Sequence, residues 1–266
     1  MRSEMTTDGT TASGRGAQDE PTHGASATGP RTVWITGAGS GMGRATALRA
    51  ARTGWTVALS GRRREVLEQL AAEIREAGGN ALVAPLDVQD REAVRSTAER
   101  IAEQLGGIDA LVLAAGLNAP KRRWDDQDLT EFDAIVATNL TAVASTVDAA
   151  LPHLRERGGQ VVVISSYAGW SFQPGAGVAY SASKTALGSL VRTLNQQEAA
   201  HGVRACHLCP GDVATDFLDQ RPSVPGAEAR ARMLTAEDIA RTASFVLDSP
   251  AHVRIDELVV SPVSQA

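Results

Sequence analysis

The chain has 266 residues, 43% of them hydrophobic, and a formal net charge of -5. This length allows one or two domains, and single α/β domains of this size are routine. The acidic balance without long basic runs argues against nucleic acid as a main partner, and no apolar run reaches the ~18 residues of a membrane span. No apolar leader core is visible near Met1, so a cytoplasmic protein without a membrane partner is expected.

Met1 to Pro30 is rich in Gly, Ser, Thr, Ala and charge, with no periodic apolar residues, and reads as a disordered arm ahead of a single domain over 31–266. From Arg31 on, strand and helix patterns alternate. Strands are expected at Thr32–Ile35, Trp55–Ser60, Ala81–Pro85, Ala110–Ala114, Gln160–Ile164, Val203–Cys209 and Glu257–Val260. Helices are expected at Met42–Thr53, Arg64–Ala77, Arg91–Leu105, Leu129–Arg157 with a break near Asn139, Tyr180–Ala200 and Ala236–Leu247. Glycines at 54, 78–79, 106–107, 158–159 and 202 stand where those helices should stop. Such alternation marks an α/β fold, a doubly wound parallel sheet of about seven strands with helices on both faces.

The first strand runs into Thr36-Gly37-Ala38-Gly39-Ser40-Gly41-Met42-Gly43 and then into a helical pattern. A glycine-rich turn between strand and helix cradles a pyrophosphate, because the backbone approaches closely and free N–H groups at the helix start point at the anion. Arg44, just past the turn, is a further candidate for phosphate contact. Beyond the second strand come Gly61, Arg62, Arg63 and Arg64. An acid at the end of this strand would repel a 2′-phosphate, and an arginine there would bind one. Arg62 is the main candidate. Arg63 and Arg64 also read as the solvated start of a helix.

The chain has two tyrosines and two lysines, and Tyr180 and Lys184 lie four residues apart, on one face of a helix. In a chain whose other basic residues are arginine apart from Lys121, a lysine at 184 points to a need for a compact ammonium. Bringing a phenol from a pKa of roughly 10 to about 7 takes about 4 kcal/mol, which a lysine and an oxidised nicotinamide ring together would supply. Such a tyrosine exchanges protons with a substrate hydroxyl or carbonyl. Ser165 and Ser166 follow the fifth strand, at the carboxyl edge where ligands bind in these sheets. Cys206 and Cys209 fall in a strand, three apart and so on opposite faces, which reads as two core thiols with no metal. Trp124, Trp170 and Phe172 read equally as pocket, core or interface aromatics. Asp216 to Met233 reads as a mobile lid over the substrate.

These segments, with Leu86-Asp87-Val88, Ala115-Gly116, Asn139 and Pro210-Gly211-x-x-x-Thr215, resemble the short-chain dehydrogenase/reductase family over nearly all of Arg31 to Ala266. The resemblance implies a Rossmann-type fold and hydride transfer between NADP(H) and a secondary alcohol or carbonyl. The catalytic set it implies is Asn139, Ser166, Tyr180 and Lys184, with Ser165 structural. It sets the cofactor against Thr36, Gly37, Gly39, Ser40, Gly41, Met42 and Gly43, then Gly61, Arg62 and Arg63. Asp87 would meet the adenine, with Val88, Ala115 and Gly116 beside it. Asn139, Tyr180 and Lys184 also face the cofactor in this reading, as do Pro210, Gly211, Val213 and Thr215. Asn139 marks a kink whose freed backbone group holds a water near Lys184. The family's usual Asn-Asn-Ala-Gly is Leu113-Ala114-Ala115-Gly116 here, which weakens a sheet-bracing role. The C-terminal run from Pro250 is similar to the 3-hydroxy acid and serine dehydrogenase branch. The substrate stays open between short hydroxy acids and ketone or β-ketoacyl compounds. A non-catalytic NADP-binding regulator is the alternative. Apolar residues on the two long helices lead to a homo-oligomer, a tetramer, as the expected assembly.

Overall fold

The computed structural model describes residues 30–265, so the arm expected over Met1–Pro30 lies, apart from Pro30, outside the described residues. In chain order the elements are β1 (Thr32–Thr36), α1 (Gly41–Arg52), β2 (Thr56–Leu59), α2 (Arg64–Glu76), β3 (Asn80–Val83), α3 (Arg91–Leu105) and β4 (Ala110–Leu113). Then come α4 (Leu129–Val136), α5 (Ala142–Arg157), β5 (Gln160–Ile164), α6 (Tyr167–Trp170), α7 (Val178–Gln197), β6 (Arg204–Pro210), α8 (Ala227–Arg230), α9 (Ala236–Leu247) and β7 (Glu257–Val260). The seven strands pair in the order β3-β2-β1-β4-β5-β6-β7, every pair parallel. Every expected strand and long helix is present, with ends within two or three residues. The short helices α6 and α8 were not anticipated, since four residues carry no periodicity.

The sheet is covered on both faces, which is why its strands read as continuous apolar runs. Along β1, Val33 and Ile35 join the core under α1, α2 and α9, while Trp34 faces the core under α3, α5 and α7. Trp34 is fully buried, and its indole N–H donates to Ser60 Oγ at 2.8 Å. Asp90 caps α3 by accepting from the amides of Glu92 and Ala93, and Gly106 ends that helix at φ 78°. Sheet order reverses between β1 and β4. The crevice above their carboxyl ends is where ligands bind in such sheets.

Two expectations change. The continuous helical stretch Leu129–Arg157 is apolar enough by length and composition to cross a membrane, with a mean hydropathy of 1.4 over its most apolar window. Ala142, Val143, Val147, Ala150 and Leu154 of that stretch are buried in the core on one face of the sheet. The same burial weakens the argument for an oligomer. Of the apolar residues expected over more than one face of the two long helices, Ala142, Val143, Val147, Leu154, Leu187, Val191 and Leu194 are buried within the chain. Only Leu151, Ala186 and Leu190 remain part-exposed.

Candidate active site

A cleft of about 670 Å³ runs along the carboxyl ends of the central strands. At one end lies the glycine turn. Gly37 has φ +66°, and a Cβ there would stand 2.7 Å from the backbone of Ala114 and Ala115. A Cβ on Gly43 would stand 2.3 Å from the carbonyl oxygen of Gly37. These two glycines press the turn against β1, β4 and the start of α1. Ser40 precedes α1 in extended conformation and its side chain caps nothing, so the first-turn amides of α1 open toward the cleft. Gly37, Gly39, Ser40, Gly41, Met42 and Gly43 all line this end. Thr36 does not. It is buried in β1.

Gly61, Arg62 and Arg63 line the cleft beyond β2. Both arginines are exposed, and neither pairs with a carboxylate among the described residues. Arg63 Nη2 lies 3.7 Å from where a Cβ of Gly39 would be, so its guanidinium overhangs the glycine turn. Arg64 points away and pairs with Glu68 at 3.6 Å. Arg44 is tied to Glu73 on α2 instead of turning toward the phosphate position. Asp87, Val88, Ala115 and Gly116 line the adjoining wall. One carboxylate oxygen of Asp87 accepts from the Gln89 amide at 3.1 Å, so the residue both holds a turn and faces the cleft.

At the other end stand Tyr180 and Lys184, one turn apart on α7. Ser166 acts on the Tyr180 phenol in the direction that favours its ionised form. Ser166 also caps α6, accepting from the Ala168 amide at 3.2 Å. Ser165 is buried and donates to the Lys184 carbonyl at 3.3 Å, a structural role. Tyr167 packs edge-on against Trp170, with centroids 5.2 Å apart. Lys184 Nζ donates to the carbonyl of Ile164 at 3.1 Å and lies 5.7 Å from the Tyr180 ring centroid.

Asn139 sits in a π turn, Ala137–Thr141, that joins α4 to α5, and it is fully buried. Its side chain clamps Leu117 from both sides, accepting from the amide at 2.8 Å and donating to the carbonyl at 2.9 Å. It also donates to Ser183 Oγ at 3.3 Å, and Ser183 in turn donates to the Tyr180 carbonyl. A break in the helix thus braces the exit of β4 against the helix that carries Tyr180. A Cβ on Gly116 would stand 3.8–3.9 Å from Asn139 Oδ1, Lys184 Nζ and Phe217. That is ordinary contact, so nothing in the protein itself demands glycine there. What glycine does is keep this space open.

Without a cofactor's charge, burial sets the direction of the phenol's shift. Burial pushes the Tyr180 phenol above its ordinary value of 10.0, and Ser166, Arg221 and Arg122 only partly oppose it. Lys184 does not acidify it in the protein alone. Burial holds the Lys184 ammonium down, to about 8, and its Nζ lies over the ring, 5.7 Å from the centroid. Before further positive charge arrives, the phenol keeps its proton.

After β6, Thr215 reaches the cleft and lies about 3.5 Å from where Gly41 would carry a Cβ. Pro210, Gly211 and Val213 are not brought to its wall. The Gly211 amide donates to Val260, and Val213 is buried in a bridge to Leu234. Of the lid segment, Asp216–Gln220 forms a 3₁₀ turn whose Phe217 ring lies 6.1 Å from that of Tyr180. Sequence reading missed Phe217 and Gln220, as well as Gln89, which donates to Thr138 across the cleft at 2.8 Å. It also missed Arg122, although the basic triplet Lys121-Arg122-Arg123 was a visible signal. Trp124, Trp170 and Phe172 are exposed, which removes the core reading for them.

Cys206 and Cys209 do face opposite sides of β6, and burial pushes both thiols up to about 12. Cys209 shares its face with His207, whose Nδ1 lies 3.0 Å from Glu257. The Cys209 sulfur stands 3.4 and 3.6 Å from the two ring nitrogens, a packing contact aimed at neither lone pair.

A sequence profile described as short chain dehydrogenase matches residues 31–224. The chain belongs to this family. Among short-chain dehydrogenase relatives, it is 35% identical over 241 residues to sulfoacetaldehyde reductase 2 of Chromohalobacter salexigens, covering 88% of this chain and 95% of that one. It is 34% identical to serine 3-dehydrogenase of Rhizobium radiobacter, covering 88% and 95%. It spans only 18% of glycine betaine reductase ATRR of Emericella nidulans, to which it is 34% identical over 234 residues. An alcohol dehydrogenase from the archaeon Thermococcus sibiricus, complexed with 5-hydroxy-NADP, superposes with a TM-score of 0.81 at 32% identity, covering 89% of this chain and 98% of that one. A closed serine dehydrogenase complexed with NADP+ gives 0.80 at 30% identity, covering 88% and 96%.

Proposed function

We propose that this short-chain dehydrogenase is an NADP(H)-dependent oxidoreductase that interconverts a secondary alcohol and a carbonyl. The observation that carries the reading is Tyr180 with Lys184 one turn on, and Ser166 acting on the phenol, at the far end of a cleft that begins in a glycine cradle. The residues present fit a dinucleotide. The cleft is long, the α1 amides are uncapped, and the turn approaches so closely that Cβ atoms at Gly37 and Gly43 are excluded. Arg62 and Arg63, beside Gly61, are free to meet a 2′-phosphate, and two of the similar solved structures carry NADP ligands.

When bound, the cofactor supplies or accepts a hydride at the carbonyl carbon. In reduction, the Tyr180 phenol gives its proton to the carbonyl oxygen while the Ser166 hydroxyl holds that oxygen and stabilises its developing charge. The raised phenol suits this direction, since the acid form is the populated one. In oxidation, Tyr180 in its phenolate form takes the alcohol's proton, and the charges of Arg221 and Arg122 favour that form. Lys184, anchored on Ile164, fixes the helix face that presents the phenol. Asn139 holds Leu117 and Ser183 in place around it. The substrate is a short hydroxy acid or a ketone or β-ketoacyl compound. The buried thiols suit a reducing, cytoplasmic setting.

Tyr180→Phe is the test. Carbonyl-dependent NADPH oxidation should fall at least about 100-fold, while NADPH binding, read by fluorescence, should stay nearly unchanged. A variant that keeps most of its rate contradicts the assignment.

A further inference from the structure

Three segments around Tyr180 meet on one arginine. Arg122 lies in the loop between β4 and α4 and is only 9% exposed. Its Nε donates to Ala119 O at 2.7 Å, within its own loop, and its Nη2 donates to Gln220 O in the 3₁₀ turn. Its Nη1 reaches Gly175 O and Ala176 O, ahead of α7, at 3.4 and 3.5 Å. The backbone joins in, since the Val178 amide, first in α7, donates to Arg122 O at 3.1 Å. Asn118 adds two links, from its amide to Gln220 Oε1 at 2.7 Å and from its Nδ2 to Ala176 O at 3.2 Å. A planar fork with five N–H groups serves acceptors on several sides at once, whereas a lysine ammonium presents three from one point.

Both ends of this junction reach the chemistry. Val178 stands two residues before Tyr180. Gly177 has φ +98°, and a Cβ there would stand 2.6 Å from Arg122 Cβ, so the helix entry packs directly on the arginine stem. Gln220 stands three residues after Phe217. The Phe217 ring lies 6.1 Å from that of Tyr180 and 3.9 Å from where Gly116 would carry a Cβ. Phe217 thus roofs the space that Gly116 keeps open beside Lys184. The ion pairs of this segment do not hold the roof to the opposite wall, because Arg221 pairs with Asp212 and Arg230 with Asp219, nine and eleven positions away. Among the described residues, the hydrogen bonds that cross from the turn to the β4–α4 loop are those of Gln220 to Asn118 and Arg122. The cavity that Arg122 shares with Gly177, Ala179 and Tyr180 measures about 10 Å³, room for one water at most, so this is a packed joint and not a ligand site. A buried charge held by carbonyls is costly, and what it gives here is a fixed geometry.

We propose that Arg122 is a positioning residue for the reaction: by latching the Gln220 end of the turn to the entry of α7, it sets the spacing between Phe217 and Tyr180 and closes the substrate space over the reacting carbonyl. This rests on the reading of Tyr180 as the proton donor. Arg122 does not border the cleft, so it acts through Phe217 and not on the substrate. With the latch made, a bound carbonyl is confined against the phenol. With the latch parted, the turn keeps the buried Leu218 as its anchor, Phe217 is free to swing, and the carbonyl samples poses that the phenol does not protonate.

The test reads the latch first without substrate. In hydrogen exchange followed by mass spectrometry on the full chain, Arg122→Lys should speed exchange in peptides covering 216–221 by about 10- to 100-fold, the range of a charge-assisted hydrogen bond. The buried strand Gln160–Ile164 should exchange as before. With NADPH and ethyl acetoacetate or acetoacetate, the same variant should lose about 10- to 100-fold in kcat/KM. In a Phe217→Ala background the further loss should shrink below about 3-fold, because the residue through which Arg122 acts is already gone. A staple that only stabilised the fold would cost the same in both backgrounds. Gln220→Ala, which frees the Asn118 amide but leaves Arg122 and its carbonyls in place, should act in the same direction by about 2- to 10-fold, and it carries the test if Arg122→Lys folds poorly. Arg123→Gln, at an exposed neighbour, should change neither reading. Unchanged exchange in the turn, or equal losses with and without Phe217, overturns the latch and leaves hydride transfer standing. Exchange that responds as expected while Tyr180→Phe keeps its rate, or while neither ketone is reduced, overturns the Tyr180 reading and keeps the latch as a feature of the fold.

Discussion

Lys184 offers a test that needs neither substrate nor cofactor. Burial holds its ammonium down from 10.5 to about 8. Below pH 8 the lysine is protonated in folded and unfolded chains alike, and the fold carries the full cost of burying the charge. Above pH 8 the folded lysine releases its proton while the unfolded one keeps it. The unfolded state then binds more protons, so stability rises with pH. The window closes near pH 10, where the raised Tyr180 phenol adds the opposite slope. Two pH units at about 1.36 kcal/mol each come to about 3 kcal/mol, or on the order of 5–10 °C in Tm for a domain of this size. Measured as the difference between wild type and Lys184→Met, slopes common to both proteins cancel, including that of Cys206. Thermal melts of the two proteins from pH 7 to 10 should therefore show the wild type gaining on the variant by that amount. Parallel curves, or a wild type that loses ground, would mean that Lys184 is not held in a charge-disfavouring site.

Arg62→Ala and Arg63→Ala should each weaken NADPH binding by about 10- to 100-fold, the range of a charge-assisted hydrogen bond, and barely change NADH binding; equal losses for both cofactors in fluorescence titrations would remove the 2′-phosphate role. Gly43→Ala drives a Cβ into the Gly37 carbonyl at 2.3 Å. An overpacking cost of about 1–3 kcal/mol is expected, seen as a lower Tm together with loss of NADPH binding, and a variant that binds normally would show that the turn tolerates a side chain. Light scattering at micromolar concentration should give a mass of several chains, as expected for a homotetramer, and the mass of a single chain refutes it.

The sheet was legible because its signals are local. Apolar runs of four to seven residues, glycine stops and helical periodicity locate β1 to β7 and the long helices without knowledge of their neighbours. The glycine turn and the Tyr180–Lys184 spacing were legible for the same reason, since a turn and an i, i+4 pair are defined within a few residues. Asn139 was legible as a helix break. Its clamp on Leu117 was not, because the partner lies 22 residues away across the fold. Charge placement was the least legible. Arg44 and Arg63 sit near the same turn in sequence, yet one is spent on Glu73 and the other overhangs Gly39. Chain packing also decides which apolar helix residues are left for a partner, and most were already used. The sign of the Tyr180 shift is the clearest case. Spacing puts an ammonium one turn away and argues for a more acidic phenol. Burial depends on every segment that closes around the hydroxyl, and it outweighs the two distant arginines that the fold brings beside it. Local sequence determines which groups exist and how neighbours along the chain are spaced. Desolvation and charge pairing are sums over residues that meet only when the chain folds, so the tertiary structure alone decides them.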